Sequence, residues 1–409
     1  MQNGDEDGMA AKKILIVDDS ALMRRLISDI INSDNRFCVQ DLATNGLEAL
    51  DLIVKNRLLY DAVVLDINMP KLNGLELLEQ LQKNKIKINV IMVSTLAKEG
   101  AKETIIALER GAFDFVTKPE NYLDAKEEHF KNRLLEVLSV ATNVYVPSPT
   151  AVGQEEKKKS EPRTKASAET AQGLRTRLSQ KNAGTSQPAI VSKTPSKNTS
   201  FKPHKKFTGS KEGKSKLIAL ACSTGGPKSL QQVIPKLPKN LDAPMVLVQH
   251  MPKGFTNSLA LRLDEMSQVH VKEAADGDVL QKGWVYIAPG GMQMRVLKIG
   301  NVYKIATTDE PARDALKPSA NIMYESLVCT NFDEITCVVL TGMGADGTVG
   351  IGTLGEHVNI HVIAQDEATS VVYGMPKAVA DAKLVDEVLP LDNIADAITK
   401  NVGVLNNGR

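Results

Sequence analysis

A serine followed closely by two glycines separates an apolar run from a helical pattern in the second half of the chain. The run KLIALAC over 216–222 predicts a buried strand, and Gly225 and Gly226 permit a tight turn with close approach of the backbone. Pro227 suits the first turn of a helix, whose free N-terminal amides can stabilise a developing oxyanion. The motif makes Ser223 a candidate nucleophile; the alternatives are a phosphate-binding turn or a turn that only packs.

A serine nucleophile needs a general base and an acid that orients the base. Of six histidines, His250 is the candidate because it follows the strand predicted over 243–249 and precedes a Met-Pro-Lys-Gly loop. Asp346 lies in a glycine-rich stretch after another apolar strand and is the candidate acid; a flexible loop or a phosphate cradle is the alternative for that stretch. Cys222 adjoins Ser223 and is an alternative nucleophile, although we expect a free cysteine at a strand end to be buried.

Five polar side chains follow predicted strands in the N-terminal third of the chain. They are Asp18 and Asp19 after the first strand, Asp66 at the end of the third, Ser94 at the end of the fourth and Lys118 past the fifth. Because the carboxyl ends of parallel strands meet at one edge of a sheet, we expect these side chains to converge. Three clustered carboxylates require a hard divalent cation such as Mg²⁺, and Asp66 can then attack a phosphoryl donor. Lys118 can pair with the new phosphate, and Ser94 can turn to hydrogen-bond it.

Two parts of the chain alternate short apolar runs with amphipathic stretches, and this alternation predicts two α/β domains. In the first domain, over 13–141, a parallel sheet with helices on both faces is expected, with strands at 13–17, 61–66, 88–94 and 113–119. In the second domain, over 216–405, the predicted strands are 216–222, 243–249, 284–288, 334–340 and 359–365. A hairpin turning at Gly300 and Asn301 makes the second domain a mixed α/β domain.

The segment between the two domains, 142–215, is rich in Pro, Ser, Thr, Lys, Gly and Gln, and this composition predicts a flexible linker. Over 151–216 the chain carries 16 Lys and Arg, five Glu and no Asp, a net charge of +11. The linker is therefore either a solvated tether or a segment that attracts an acidic partner.

The overall composition argues against several classes of protein. The formal net charge of +1 gives no general drive toward nucleic acid or a membrane surface. Residues 1–12 are acidic and polar, so we expect a disordered N-terminus rather than a signal peptide, and no run approaches the roughly 18 apolar residues of a membrane span. The four cysteines are scattered, which disfavours a zinc site or disulfides and fits a cytoplasmic protein.

The motifs VDDS, LDINMP and TKP, with the serine at 94, closely resemble the response-regulator receiver family over 13–140. The resemblance implies a doubly wound, five-stranded parallel sheet of the flavodoxin-like type, with Asp66 phosphorylated by a chemotaxis histidine kinase. It also implies that Phe115 is an aromatic switch residue acting with Ser94 and Lys118. The implied Mg²⁺ ligands are Asp18, Asp19, Asp66 and the backbone carbonyl of Asn68.

The motifs CSTGGP, QHMP, YIAPG, LTGMGADG and QDEATSVVYGMPKA closely resemble the catalytic domain of chemotaxis protein-glutamate methylesterases, the CheB family, over 216–405. The implied roles are nucleophile for Ser223, general base for His250, orienting acid for Asp346, and oxyanion donor for the Met343 amide with Thr224 nearby. The resemblance implies hydrolysis of glutamate methyl esters on methyl-accepting chemotaxis receptors through an acyl-enzyme, deamidation of selected glutamines, and no cofactor in this domain. It also suggests that the unphosphorylated receiver covers the hydrolase cleft.

The sequence departs from the family pattern in two places. Ala221 stands where the family often has Gly, and Lys317 and Asn321 stand in KPSAN where the family more usually has Arg-Pro-Ser-Val-Asp. Two other functions fit parts of the chain: a transcriptional response regulator, given the receiver and the basic segment, and a catalytically silent scaffold that binds receptors. The sequence contains no apparent helix-turn-helix pattern, and release of methanol from methyl-esterified receptor would separate all three functions.

Overall fold

The computed structural model describes residues 10–119, 126–144 and 214–405. Almost all of the predicted linker over 142–215, and most of the predicted N-terminal segment over 1–12, lie outside the described residues. The described parts of the two α/β domains belong to one compact unit. No described helix is both long and apolar enough to cross a membrane.

The N-terminal domain contains a five-stranded sheet whose strands are all parallel, in the order β2-β1-β3-β4-β5. The strands are β1 (Lys12–Val17), β2 (Phe37–Ala43), β3 (Ala62–Asp66), β4 (Asn89–Ser94) and β5 (Asp114–Thr117). The helices are α1 (Ala21–Asn32), α2 (Gly46–Lys55), α3 (Gly74–Lys83), α4 (Lys98–Glu109) and α5 (Lys126–Ala141). Apolar clusters pack on both faces of the sheet, which confirms the predicted doubly wound fold.

Polar side chains determine where the first three helices begin. The side chain of Ser20 accepts a hydrogen bond from the amide of Met23, and Asn45 caps α2 in the same way. Asn73 and Glu76 form a reciprocal capping box at the start of α3. Such caps satisfy amides that have no partner within the helix. The cap at Ser20 thereby fixes the turn that carries the first two acidic residues of the predicted cluster.

The C-terminal domain contains a seven-stranded sheet, also wholly parallel, in the order β14-β13-β12-β6-β7-β9-β8. Its strands are β6 (Lys216–Cys222), β7 (Met245–Gln249), β8 (His270–Glu273), β9 (Trp284–Ile287), β12 (Glu334–Val339), β13 (Ile360–Gln365) and β14 (Glu387–Leu389). An antiparallel hairpin lies apart from this sheet and turns at Gly300 and Asn301, as predicted; its strands are β10 (Gln293–Ile299) and β11 (Val302–Thr308).

In the described part of this domain, six α-helices accompany these strands. They are α6 (Gly226–Val233), α7 (Phe255–Met266), α8 (Ala320–Ser326), α9 (Thr348–Gly355), α10 (Met375–Asp381) and α11 (Leu391–Val402). Strands β6, β7 and β12 are adjacent at the centre of the sheet, and every residue in them is buried. Parallel strands covered on both faces are continuous apolar runs of this kind. The carboxyl ends of these three strands are therefore held rigidly side by side.

Candidate active site

The ends of strands β6 and β7 place the candidate nucleophile beside the candidate base. The parallel register pairs Cys222 with Gln249, so the residues that follow, Ser223 and His250, leave adjacent strands together. The amide of His250 donates to the carbonyl of Cys222 at 3.1 Å. The amide of Ser223 donates to the carbonyl of Thr341, just after β12, at 3.0 Å. Three neighbouring strands thus converge on one site.

A short hydrogen bond joins His250 to Asp346, with Nε2 2.8 Å from Oδ2. Burial alone would raise the pKa of Asp346, but the hydrogen bond from His250 and those from the amides of Asn321 and Ala320 lower the pKa overall. An ionised carboxylate can only accept hydrogen bonds, so the proton of the neutral imidazole lies on Nε2. Nδ1 of His250 therefore keeps its lone pair and can accept a proton from a serine.

Asp346 is saturated with donors besides the histidine. Oδ1 accepts from the Ser319 hydroxyl at 3.0 Å and from the amides of Asn321 at 2.9 Å and Gly347 at 3.0 Å, while Oδ2 also accepts from the amide of Ala320 at 2.6 Å. These contacts fix the carboxylate in position and in its ionised form. The sequence reasoning missed Ser319, although its segment KPSAN was recognised as part of a family motif.

The hydroxyl of Ser223 makes no hydrogen bond to His250 or to any other residue that the structure describes. Catalytic contacts of this kind often tighten only when a substrate is bound. The loop after β12 lies directly against the candidate nucleophile, because a Cβ on Gly342 would come within 2.8 Å of the Cβ of Ser223. Within the described parts of the chain, the amides of Met343 and Thr224 donate no hydrogen bond, and both remain candidates for an oxyanion.

Cys222 is placed as a buried thiol rather than as a second nucleophile. Its side chain is fully buried, and burial strongly raises the pKa of the thiol. The Sγ–H donates to Oε1 of Gln249 at 3.0 Å. Because only the thiolate is a good nucleophile, this arrangement argues against the alternative assignment.

Lys317 and Asn321, which depart from the family pattern in the segment 317–321, make different contacts. The side-chain oxygen of Asn321 accepts from the amides of Gly347 at 3.0 Å and Gly350 at 2.8 Å. An aspartate could accept the same two bonds but would add a negative charge beside Asp346. Lys317 forms an ion pair with Asp309, at 2.5 Å, and its carbonyl accepts from the amide of Gly291.

The acidic residues of the N-terminal domain converge as predicted. Oxygens of Asp18, Asp19 and Asp66 lie within 4.8 Å of one another. Nζ of Lys118 lies 2.9 Å from Oδ2 of Asp18 and 2.8 Å from Oδ2 of Asp66. Among the described residues, Lys118 is the one side-chain cation paired with this cluster, so the three carboxylates retain negative charge, and their oxygens suit a hard divalent cation. The side chain of Asn68, whose backbone carbonyl is the predicted fourth ligand, contacts Glu103 at 3.1 Å.

The pKa values of Asp66 and Lys118 reflect the incomplete neutralisation of the three carboxylates. Burial raises the pKa of Asp66, and the ion pair with Lys118 only partly opposes that effect. For Lys118, burial lowers the pKa, but Asp66 and Asp18 outweigh burial and the pKa is raised. The lysine is therefore firmly protonated, whereas the Asp66 carboxylate is ionised at a free-energy cost.

Two of the three predicted switch residues, Ser94 and Phe115, are buried. The hydroxyl of Ser94 donates to the carbonyl of Gly100 at 3.2 Å, at the start of α4. The ring of Phe115 stacks on Phe255 of α7, with centroids 4.6 Å apart. Phe115 therefore contacts the C-terminal domain.

The contact between the domains reaches the residue next to the candidate nucleophile. The hydroxyl of Thr224 donates to Oδ2 of Asp114 at 2.8 Å, and Arg133 of α5 pairs with the same oxygen at 2.9 Å. Nearby, Arg262 of α7 pairs with Glu109 of α4 at 2.8 Å. Sequence reasoning missed the role of Asp114; its one signal was an acidic residue within a predicted strand.

Two family models match the chain. "Response regulator receiver domain" matches residues 14–127, and "CheB methylesterase" matches residues 218–398. A protein-glutamate methylesterase/protein-glutamine glutaminase of Geobacillus kaustophilus is 38% identical over 97% of this chain and 100% of its own. One of Bacillus licheniformis with the same name is 39% identical over 94% of this chain and 97% of its own. The crystal structure of the Thermotoga maritima CheB methylesterase catalytic domain is 39% identical, covers 45% of this chain and 97% of that chain, and has a TM-score of 0.44.

The class of protein is thus a response-regulator receiver joined to an α/β domain with a serine, a histidine and an aspartate at its strand ends. Relatives of 36–39% identity extend over nearly the full chain. The chain belongs to the CheB methylesterase family.

Proposed function

We propose that this chain is a phosphorylation-activated protein-glutamate methylesterase that also deamidates glutamines, acting on chemotaxis receptors. Full-length relatives bear the name of both activities. The observation that carries the proposal is the hydrogen bond between His250 and an ionised Asp346. His250 follows β7, and Ser223 follows the adjacent strand β6. A base in a fixed tautomer beside a serine at a strand end is the arrangement that acyl transfer requires.

The reaction proceeds in two steps through an acyl-enzyme. Nδ1 of His250 takes the proton of the Ser223 hydroxyl while Oγ attacks the glutamyl carbonyl, and the amides of Met343 and Thr224 stabilise the oxyanion. The imidazolium then protonates the departing methoxide, and methanol leaves. Water, deprotonated by the same nitrogen, hydrolyses the acyl-enzyme to glutamate and free serine. For a glutamine substrate the leaving group is ammonia.

The N-terminal domain receives the signal at Asp66, with a chemotaxis histidine kinase as the phosphodonor. Asp18, Asp19, Asp66 and the carbonyl of Asn68 would hold Mg²⁺, which when bound neutralises charge on the transferring phosphoryl group. Asp66 supplies the attacking oxygen. Lys118, already protonated between Asp18 and Asp66, is placed to pair with the phosphate that forms.

Phosphorylation activates by loosening the contact between the domains. In the structure, the Thr224 hydroxyl beside the nucleophile is bound to Asp114, and Phe115 is stacked on Phe255. Both receiver residues lie at the start of β5, Asp114 four and Phe115 three positions before Lys118, the residue that would bind the phosphate. A turn of Ser94 toward the phosphate would leave its bond to Gly100 and shift α4, which also packs on α6 and α7. A tenfold activation requires a shift of only about 1.4 kcal/mol.

The test is release of methanol from receptor carrying radiolabelled methyl esters. We expect Ser223→Ala and His250→Ala each to reduce kcat by roughly 10⁴–10⁶-fold with the fold intact, and the double variant to lose no more than either. Cys222→Ser is the matched control and should retain activity. Wild-type turnover in Ser223→Ala would refute the proposal.

For regulation, removal of residues 1–150 should raise activity above that of the unphosphorylated whole chain; lower activity would exclude inhibition by covering.

A further inference from the structure

Gln249 is a buried polar residue at the centre of the catalytic sheet and takes no direct part in the proposed reaction. It ends β7, directly before His250, and is 2% exposed. A carboxamide buried in an apolar core costs free energy unless hydrogen bonds satisfy it. Nε2 donates to the carbonyl of Ser223 at 3.0 Å and to the carbonyl of His250 at 3.2 Å. One side chain is thus bonded to the backbones of both the nucleophile and the base.

These bonds restrict two peptide planes. The carbonyl of Ser223 shares a rigid plane with the amide of Thr224, and the two groups point in opposite directions. A second donor, the amide of Gly226, binds the Ser223 carbonyl at 2.7 Å, so this plane is held from two sides. Fixing it also fixes the direction of the Thr224 amide, a candidate oxyanion donor. The plane after His250 is restrained by the same carboxamide.

The neighbours of Gln249 determine which way the carboxamide faces. Two carbonyl oxygens require the NH₂ group on their side. The Cys222 thiol lies 3.0 Å from Oε1 and stays protonated because burial raises its pKa, so it is a donor to that oxygen. A Cβ on Gly226 would lie 2.1 Å from Oε1, so the glycine at this position leaves the space that the carboxamide occupies.

We infer that Gln249 is a positioning residue for the hydrolase, which holds the Ser223 and His250 strand ends in reactive register through its two donated hydrogen bonds. The inference rests on the proposed function for its substrate, but the positioning itself concerns the reactivity of Ser223 with any acylating or phosphonylating reagent. A displacement of about 1 Å between nucleophile and base lowers a rate by roughly 100-fold.

Two substitutions test the donated bonds in the full-length, phosphorylated protein. Gln249→Met keeps the volume and removes both donors, and we expect kcat for methanol release to fall about 10- to 100-fold with KM within twofold. Gln249→Glu provides one donor only when its carboxyl group is protonated. Since burial raises the pKa of a carboxyl group, this variant should lose activity as the pH rises through that raised pKa. The pH profiles of wild type and of Gln249→Met should lack this loss of activity.

A control and a second readout separate positioning from folding and from substrate identity. Thr330→Val removes another buried hydroxyl, which donates to the carbonyl of Leu327 away from the site, and should lower stability without changing kcat. The rate at which a fluorophosphonate labels Ser223 should fall in Gln249→Met in parallel with kcat. If wild type is labelled but does not hydrolyse receptor esters, the proposed substrate is wrong and the labelling rates still decide the inference. Labelling and turnover of Gln249→Met at wild-type rates would overturn it.

Discussion

Asp66 and Asp346 both lie at the carboxyl edge of a parallel sheet and are similarly buried, 6% and 8% exposed, yet they differ in how their oxygens are satisfied. Asp66 accepts one amide hydrogen bond, from Ile67, and pairs with Lys118. Asp346 accepts five bonds from a hydroxyl, three amides and a histidine. The pKa of Asp66 is accordingly raised and that of Asp346 lowered.

The difference follows from what each carboxylate is proposed to do. A carboxylate that attacks a phosphoryl group needs an oxygen that is not already committed to several donors. A carboxylate that orients a histidine must stay ionised and must not move, so full satisfaction of its lone pairs serves it. Similar burial at similar positions therefore gives opposite chemistry, because the loops around each strand end supply different numbers of donors.

The largest expected effect concerns turnover. Asp346→Asn removes the charge that selects the Nε2–H tautomer of His250, and we expect kcat to fall about 10⁴-fold in the methanol-release assay. Asp66→Asn should leave the basal turnover of the unphosphorylated chain within about twofold and abolish its activation by a phosphodonor. Retention of more than a tenth of wild-type kcat in Asp346→Asn would mean that the saturated carboxylate does not orient the base.

Stability should change in opposite directions at the two sites. Asp346→Asn places an NH₂ group against backbone donors, and we expect a loss of about 2–4 kcal/mol in the free energy of unfolding. Asp66→Asn removes a buried negative charge that Lys118 only partly neutralises. We expect the free energy of unfolding to rise by about 1 kcal/mol at neutral pH. Denaturant titration of each variant against wild type measures both changes in the free energy of unfolding. A change of the same sign in both variants would contradict the proposed difference between Asp66 and Asp346.

The pH dependence of these differences has a defined sign. Asp346 has a folded-state pKa below its unfolded value, so its contribution to stability is present above an unfolded pKa of about 3.9 and is lost as the pH falls through the folded pKa. Asp66 has a raised folded-state pKa, so its contribution is present below about 3.9 and is lost as the pH rises through the folded pKa. Stability of wild type minus each Asn variant, measured from pH 3 to 7, should therefore rise with pH for Asp346 and fall with pH for Asp66.

The smallest expected effect comes from the contact between the two domains. The Arg262–Glu109 pair is about one-third exposed on each side and is expected to contribute about 0.2–1 kcal/mol. Arg262→Glu should raise the basal activity of the unphosphorylated chain by roughly two- to fivefold. The swapped double variant Glu109→Arg with Arg262→Glu is the matched control and should return activity toward wild type; equal activity in all three proteins would leave this ion pair without a regulatory role.

Much of the fold could be predicted from the sequence, because fully buried strands are unbroken apolar runs. The predicted runs over 216–222 and 334–340 match β6 and β12 to within one residue. The edge strands β2, β8 and β14 were not delimited, since none of them is a continuous buried run: two of seven residues are buried in β2, one of four in β8 and none in β14. Convergence of the receiver acids was predictable for a related reason: the parallel strands that carry them end at one edge.

The sequence by itself determined which side chains stand at the strand ends, since apolar runs and the residues after them are local properties. Only the tertiary structure decided that Nε2 of His250 faces Asp346, that Ser319 from a distant loop helps to saturate that carboxylate, and that Asp114 of one domain binds Thr224 of the other. Each of these contacts joins residues 27 or more positions apart. Their geometry depends on how loops and domain faces pack, which no local pattern of residues specifies.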